Sequence, residues 1–319
     1  MPNRRIIISN NVAWHYEVIE SVIVNYNKFF NIDKLDNDEI YLHVIKDFFI
    51  SPQDLNYNSF ISYISNKYPG VKIIDNFIEG MDYEIHCTVT GSDYDISYGG
   101  IRVESIKDDI TKAYISHDLV EEFFDKNNIY FLNNFDKKVE DSRIFNATVL
   151  PYQDKKIRNK IPQIIIQGSL DMAILNKTRD YDILKDILSG DYEEDFNIKI
   201  IGRSTLKRKD IESFFYSLCK NKKNYEKIRI FMNEKWKQYH THFIDGYAVI
   251  PLISKKDQPQ YFSTKITSSF NYGRAYDLKF FVDSDFAEAY DVSNNCHIYN
   301  SKNVVDEFKK LLKEYKTEE

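Results

Sequence analysis

Apolar positions along the chain follow two spacings in alternation. Residues 4–9, RRIIIS, form a compact β-branched run, after which Val18, Ile19, Val22, Ile23 and Tyr26 recur on one helical face. The chain therefore opens with a strand and then a helix. Residues 40–45 predict the next strand. Residues 59–68 predict an amphipathic helix with Phe60, Ile61 and Ile64 inward, and 71–75 a strand after the Pro69-Gly70 turn. Residues 83–90, 111–116 and 129–132 read as three further strands, with a helix at 119–126 between the last two. Residues 91–110, with Gly91, Gly99 and Gly100, follow no clear period.

The stretch 136–162 is charged and bounded by prolines, which sets a domain boundary near 150 and predicts domains at 1–150 and 151–319. From Gln163 the alternation restarts. It gives strands at 163–169, 196–203, 227–232 and 296–300 and helices at 179–190, 209–220, 234–245 and 303–316. Residues 247–283 add a strand at 247–253, a loop, a helix starting near Thr264 with Ser263 as its N-cap, and a strand at 278–282. Phe262, Ile266 and Phe270 would share one face of that helix, and Gly273 would lie near its end. The fold class expected is α/β, with two tandem Rossmann-like domains whose parallel sheets face each other across a cleft.

Composition narrows the function classes. The chain has 319 residues and a net charge of −6. Residues 1–150 hold 14 Lys and Arg against 24 Asp and Glu, and the remainder 29 against 25, so an acidic first half precedes a basic second half suited to an anion. Overall acidity argues against a nucleic-acid binder. Without a stretch of about 20 apolar residues or a leader of signal-peptide form, the expectation is a soluble cytoplasmic protein. Cys87, Cys219 and Cys296 have neither disulfide nor zinc spacing and are expected to be reduced and buried.

Candidate chemistry gathers where strands of the second half end. Gly168-Ser169 and Gly202-Arg203 each follow a strand, at the edge of a parallel sheet where ligands bind. Glycine lets backbone approach a phosphate, and Arg203 adds a forked, permanently charged donor. The helix of the 247–283 unit brings Lys265, Thr267, Ser268 and Ser269 into its first turn, preceded by Tyr261, and helix N-termini attract anions. Neither a G-x-G-x-x-G nor a Walker A run occurs, which disfavours dehydrogenases and P-loop NTPases.

In the order IIQGS, IIGR and then residues 250–283, the second half resembles the nucleotide-sugar-binding domain of the GT-B glycosyltransferases, in particular the glycogen-synthase-type and lipopolysaccharide-type group. The resemblance implies sugar transfer from a nucleotide-diphosphate sugar to a glycan, lipid or protein acceptor, with no metal and no cofactor. Arg203, Lys265 and the helix N-terminus would offset charge on the leaving diphosphate. Relatives commonly carry a ribose-binding Glu about five residues before the helix glycine, where this chain has Ser268. In the first half the resemblance implies His117, followed by Asp118, near the anomeric carbon, and His15 where some inverting members keep a base. A non-catalytic binding protein of the same fold and a sugar-nucleotide epimerase are the alternatives, the latter requiring carboxylate acid and base groups. His240 and His242 are expected at the surface, His43 and His86 packed within strands. The pair Asp283 and Asp285 is too small to hold a metal.

Overall fold

The computed structural model describes residues 4–10, 16–29, 38–44, 51–74, 85–89, 111–116, 129–132, 135, 140, 144, 145, 147, 149–152, 156–170, 179–220 and 222–318. The chain divides into two compact units, Met1–Leu150 with Ser263–Ile266, and Pro151–Phe262 with Thr267–Glu319.

In the first unit, β1 (Arg5–Asn10), β2 (Glu39–Val44), β3 (Val71–Ile74), β4 (Ile85–Val89), β5 (Thr111–Ser116) and β6 (Ile129–Phe131) form one sheet. Its order is β3-β2-β1-β4-β5-β6, parallel throughout. Ile6, Ile7 and Ile8 are fully buried in the central strand, as a run apolar on both sides must be when helices cover both faces. Helix α1 (Tyr16–Phe29) buries Val18, Ile19, Val22, Ile23 and Tyr26, the face its spacing predicts. It is tied to α2 (Ser51–Lys67) through the buried Glu20 carboxylate, which accepts hydrogen bonds from Tyr63 (2.6 Å), Tyr68 (2.9 Å) and Lys67 (3.1 Å). Three donors to one carboxylate offset the cost of burying it.

The second unit repeats the plan. Strands β7 (Gln163–Gln167), β8 (Asn197–Gly202), β9 (Ile228–Met232), β10 (Ala248–Val249), β11 (Lys279–Asp283) and β12 (Cys296–Tyr299) pair in parallel in the order β12-β11-β10-β7-β8-β9. Numbered from its own first strand, this is the order of the first sheet. Helices α3 (Tyr181–Ser189), α4 (Arg208–Ser217), α5 (Trp236–Ile244), α6 (Ser268–Ala275), α7 (Ser284–Ala289) and α8 (Val304–Thr317) accompany it. Ile164, Ile198, Leu184, Ile187, Phe281, Phe308 and Leu311 meet in its core. Each fully buried side chain of this size contributes about 1.5–3 kcal/mol. No helix among the described residues is long and apolar enough to cross a membrane.

Several expectations change. Helix α2 begins at Ser51, eight residues before the predicted start, and Ile61 is only partly buried beside the buried Phe60, Tyr63 and Ile64. Strand β10 is two residues long, and Leu252, three residues beyond it, takes φ +53°. Helix α6 begins at Ser268 with Thr267 as N-cap, and Pro259–Phe262 forms a separate 3-10 turn. Phe262 and Ile266 therefore precede the helix, leaving Phe270 on it. His240 is fully buried on α5, where its Nδ1 pairs with the Tyr276 hydroxyl, so it is a core residue. Cys219 is buried as expected, Cys296 only partly. His43 is buried in β2. The predicted helix at 119–126 and the stretch 91–110 lie outside the described residues.

Candidate functional site

The second sheet reverses its direction of winding between β7 and β10, and the loops leaving their carboxyl ends diverge there. In open parallel sheets this is where a crevice for ligands forms. Pairing between the two strands is short: Ala248 lies opposite Ile164 and Val249 opposite Ile165, followed by a last bond from Ile250 N–H to the Ile165 carbonyl (2.8 Å). Beyond that point side chains bridge the gap.

Gln167, the last residue of β7, is buried and supplies the bridge. Its Nε2 donates to Ser268 Oγ (2.9 Å), and Ser269 Oγ donates to its Oε1 (2.9 Å), which fastens the first turn of α6 to the end of β7. Thr267 caps the helix, its Oγ1 accepting from the Ser269 N–H (3.3 Å). The Thr267 N–H in turn donates to the Tyr290 hydroxyl (3.3 Å), which itself donates to the Tyr261 carbonyl (2.8 Å). Five Ser and Thr residues precede or open this helix, and these long-range partners select Thr267 over Ser263 as the cap. The same bonds occupy the Ser268 and Ser269 hydroxyls and the Ser269 N–H.

Arg179, just before α3, closes the circuit. Its guanidinium lies 5.9 Å from the Tyr261 ring, and its Nη2 donates to the Gln167 carbonyl at 3.4 Å. Its Nη1 is buried and has no hydrogen-bond partner among the described residues. Sequence reasoning missed both Gln167 and Arg179: one reads as the tail of a strand, the other as the start of a helix. The only signal was the position of Gln167 at a strand end beside the switch point.

The two glycines at the strand ends serve the backbone itself. A Cβ on Gly202 would sit 1.8 Å from the Gly168 carbonyl oxygen, so β8 and the loop after β7 touch without room for any side chain. Bonds from Gly168 N–H to Ile201 O (3.0 Å) and from Leu170 N–H to Arg203 O (2.9 Å) hold that contact. Gly168 takes φ +156°, and a Cβ there would lie 2.5 Å from Arg179 Nη2. Gly202 thus admits the neighbouring loop, and Gly168 admits the guanidinium.

The structure brings Tyr261, Thr267, Ser268 and Ser269 into one hydrogen-bonded group with Gln167, which Gly168 follows in the chain. Ser169 is exposed and Arg203 partly exposed, joined to the group through its carbonyl. Lys265 precedes the helix instead of standing in its first turn, within the stretch Ser263–Ile266 that groups with the first unit. His15 and His117 lie outside the described residues.

Two carboxyls border this edge. Asp180 donates its N–H to the Leu252 carbonyl (2.7 Å), and burial pushes its carboxyl above the usual range. Asp283 ends β11 and caps α7 by accepting from the Phe286 N–H (2.8 Å); burial, then the charges of Asp285 and Asp180, push its carboxyl up as well. Among the described residues no group of three or more His, Cys, Asp or Glu side chains is arranged to hold a metal ion.

The paired sheets match known architectures over almost their whole length. A UDP-GlcNAc 2-epimerase from Methanocaldococcus jannaschii superposes with a TM-score of 0.53 at 10% identity, over 97% of this chain and 92% of that one. The ADP-heptose lipopolysaccharide heptosyltransferase II of E. coli superposes with a TM-score of 0.50 at 8% identity, over 98% and 99%. The fold is GT-B. At these identities the likeness extends to the GT-B fold alone. No protein-family model matches the sequence. No curated protein matches it either.

Proposed function

We propose that the carboxyl edge of the second sheet binds the diphosphate of a nucleotide sugar, and that the chain is a glycosyltransferase passing the sugar to an acceptor hydroxyl without a required metal. The observation that carries this reading is Arg179. A guanidinium keeps its charge at any accessible pH, and a buried donor without a partner costs about 1–3 kcal/mol, more when charged. The Nη1 of Arg179, buried and without a hydrogen-bond partner among the described residues, would be satisfied by an anionic ligand oxygen, and the switch point is where such ligands enter. The two superposed structures are named for ADP-heptose and UDP-GlcNAc, both nucleotide sugars.

In this proposal Arg179 and Arg203 stabilise the charge that develops on the departing diphosphate, a preorganised electrostatic effect. Tyr261 and the first turn of α6, through Thr267, Ser268 and Ser269, line the donor side next to Gly168 and Ser169. Their hydroxyls hold the loop in shape. Lys265 is assigned to the same diphosphate, and the acceptor is deprotonated by His117 or His15, imidazole being a common general base.

A second reading, nucleotide-sugar epimerase, is favoured by Asp180 and Asp283. Carboxyls raised by burial hold and release protons nearer neutral pH, which proton transfer at a sugar carbon requires. Incubating the full chain with UDP-GlcNAc and with ADP-heptose, followed by proton and phosphorus NMR, separates the two. Free nucleoside diphosphate supports transfer, with water as the slow acceptor. An epimeric nucleotide sugar supports the second reading, and no reaction together with no binding of either compound defeats both.

A further inference from the structure

The hydrogen bonds at the switch point converge on one residue that no ligand would need to touch. The Gln167 carbonyl accepts from Arg179 Nη2 (3.4 Å) and lies 3.3 Å from Ser269 Oγ, while its side-chain amide holds Ser268 and Ser269, each at 2.9 Å. Ser269 has a single hydroxyl proton, and the shorter contact directs it to Oε1. One residue thus joins two places: Gly168 after β7 and Arg179 before α3 on one side, and the start of α6, with Thr267, Ser268 and Ser269, on the other. Strand pairing makes no such link, since it stops at Ile165. Three of its members are buried: Gln167 is 6% exposed, Thr267 2% and Ser269 0%.

We propose that Gln167 is a positioning residue that sets the distance between the Arg179 guanidinium and the α6 N-terminus, so that both meet one diphosphate. This inference rests on the reading of the edge as a diphosphate site. A methionine has nearly the length of glutamine but neither bonds the serine hydroxyls nor fixes α6. Gln167→Met then leaves every proposed ligand-contacting group in the protein and loses only their spacing. Buried hydrogen-bond networks of this kind act as units, so removing either end releases the whole link.

The experiment is isothermal titration of the full chain with UDP, ADP and inorganic pyrophosphate at a temperature where circular dichroism shows every variant folded. Gln167→Met and Ser269→Ala are each expected to weaken binding of the preferred probe about ten-fold, with the double variant no weaker than either single one. Should Gln167→Met not fold, the paired change Ser268→Ala with Ser269→Ala removes the partners instead and is expected to show the same loss. A lowered melting temperature with unchanged affinity marks a purely structural role and overturns the inference. So does a double variant whose loss is the product of the single losses. If the wild-type chain binds none of the three probes, the reading of the site fails and this inference falls with it; binding that is insensitive to Gln167 defeats the inference alone.

Discussion

Substituting Gly202 by alanine tests the close approach of two backbones on which the site is built. The added Cβ would stand 1.8 Å from the Gly168 oxygen and 3.0 Å from its carbonyl carbon, so the loop after β7 must retreat by more than an ångström. The obstacle is main chain, which cannot rotate away as a flexible side chain does. Overpacking of this kind costs typically about 1–3 kcal/mol. The retreat also strains the bonds from Gly168 N–H to Ile201 O and from Leu170 N–H to Arg203 O. Losing one or two of these adds about 1 kcal/mol each, for a total near 2–5 kcal/mol. Urea denaturation followed by far-UV circular dichroism measures it, with Gly70→Ala as control, because a Cβ on Gly70 meets nothing within 4 Å. A midpoint for Gly202→Ala equal to that of the control would refute the packing argument.

Further consequences are open to measurement. Arg179→Ala is expected to reduce affinity for the nucleoside diphosphate about ten- to a hundred-fold, the worth of a charge-assisted hydrogen bond at about 1.5–3 kcal/mol, while leaving the far-UV spectrum unchanged. Tyr290→Phe removes the hydroxyl that joins Thr267 N–H to the Tyr261 carbonyl, leaves two buried groups unpaired, and should lower stability by about 1–3 kcal/mol in the same urea assay. Burial, then the nearby Lys199 charge, hold His242 at a pKa of about 4, below its ordinary 6.5. Between those values the unfolded chain binds a proton that the folded chain does not, so stability rises with pH from about 4 to 6.5 and is lost as pH falls through that window. His242→Gln should flatten the melting temperature across that range.

Much of this architecture is legible in the sequence because its signals are local. The isoleucine runs of β1 and β7 are buried on both faces, and the face of α8 through Val304, Phe308, Leu311, Leu312 and Tyr315 keeps helical spacing. The glycines at the strand ends were also visible, but their reason was not. Only the fold shows that Gly202 makes room for the Gly168 carbonyl. The start of α6 was misjudged because Ser263, Thr264, Thr267, Ser268 and Ser269 all suit a helix cap, and the choice falls to Gln167 and Tyr290, far away in sequence. His240 was placed on the surface because its spacing from His242 makes a poor metal pair, whereas Trp236 one turn before it, Tyr272 on the next helix and Tyr276 at that helix's end enclose it. Arg179 was hidden for a related reason. Nothing in its neighbourhood along the chain marks a guanidinium that folds back onto the end of β7.

The central claim is that Arg179 and the switch point of the second sheet hold a nucleoside diphosphate. Phosphorus NMR of UDP, ADP, GDP and dTDP titrated with the full chain, repeated with Arg179→Ala, tests it most directly. The account predicts that both phosphate resonances of one of these nucleotides shift or broaden with the wild-type protein, and that Arg179→Ala abolishes most of the effect. Resonances unaffected by the wild-type chain, or affected equally by both proteins, would contradict it.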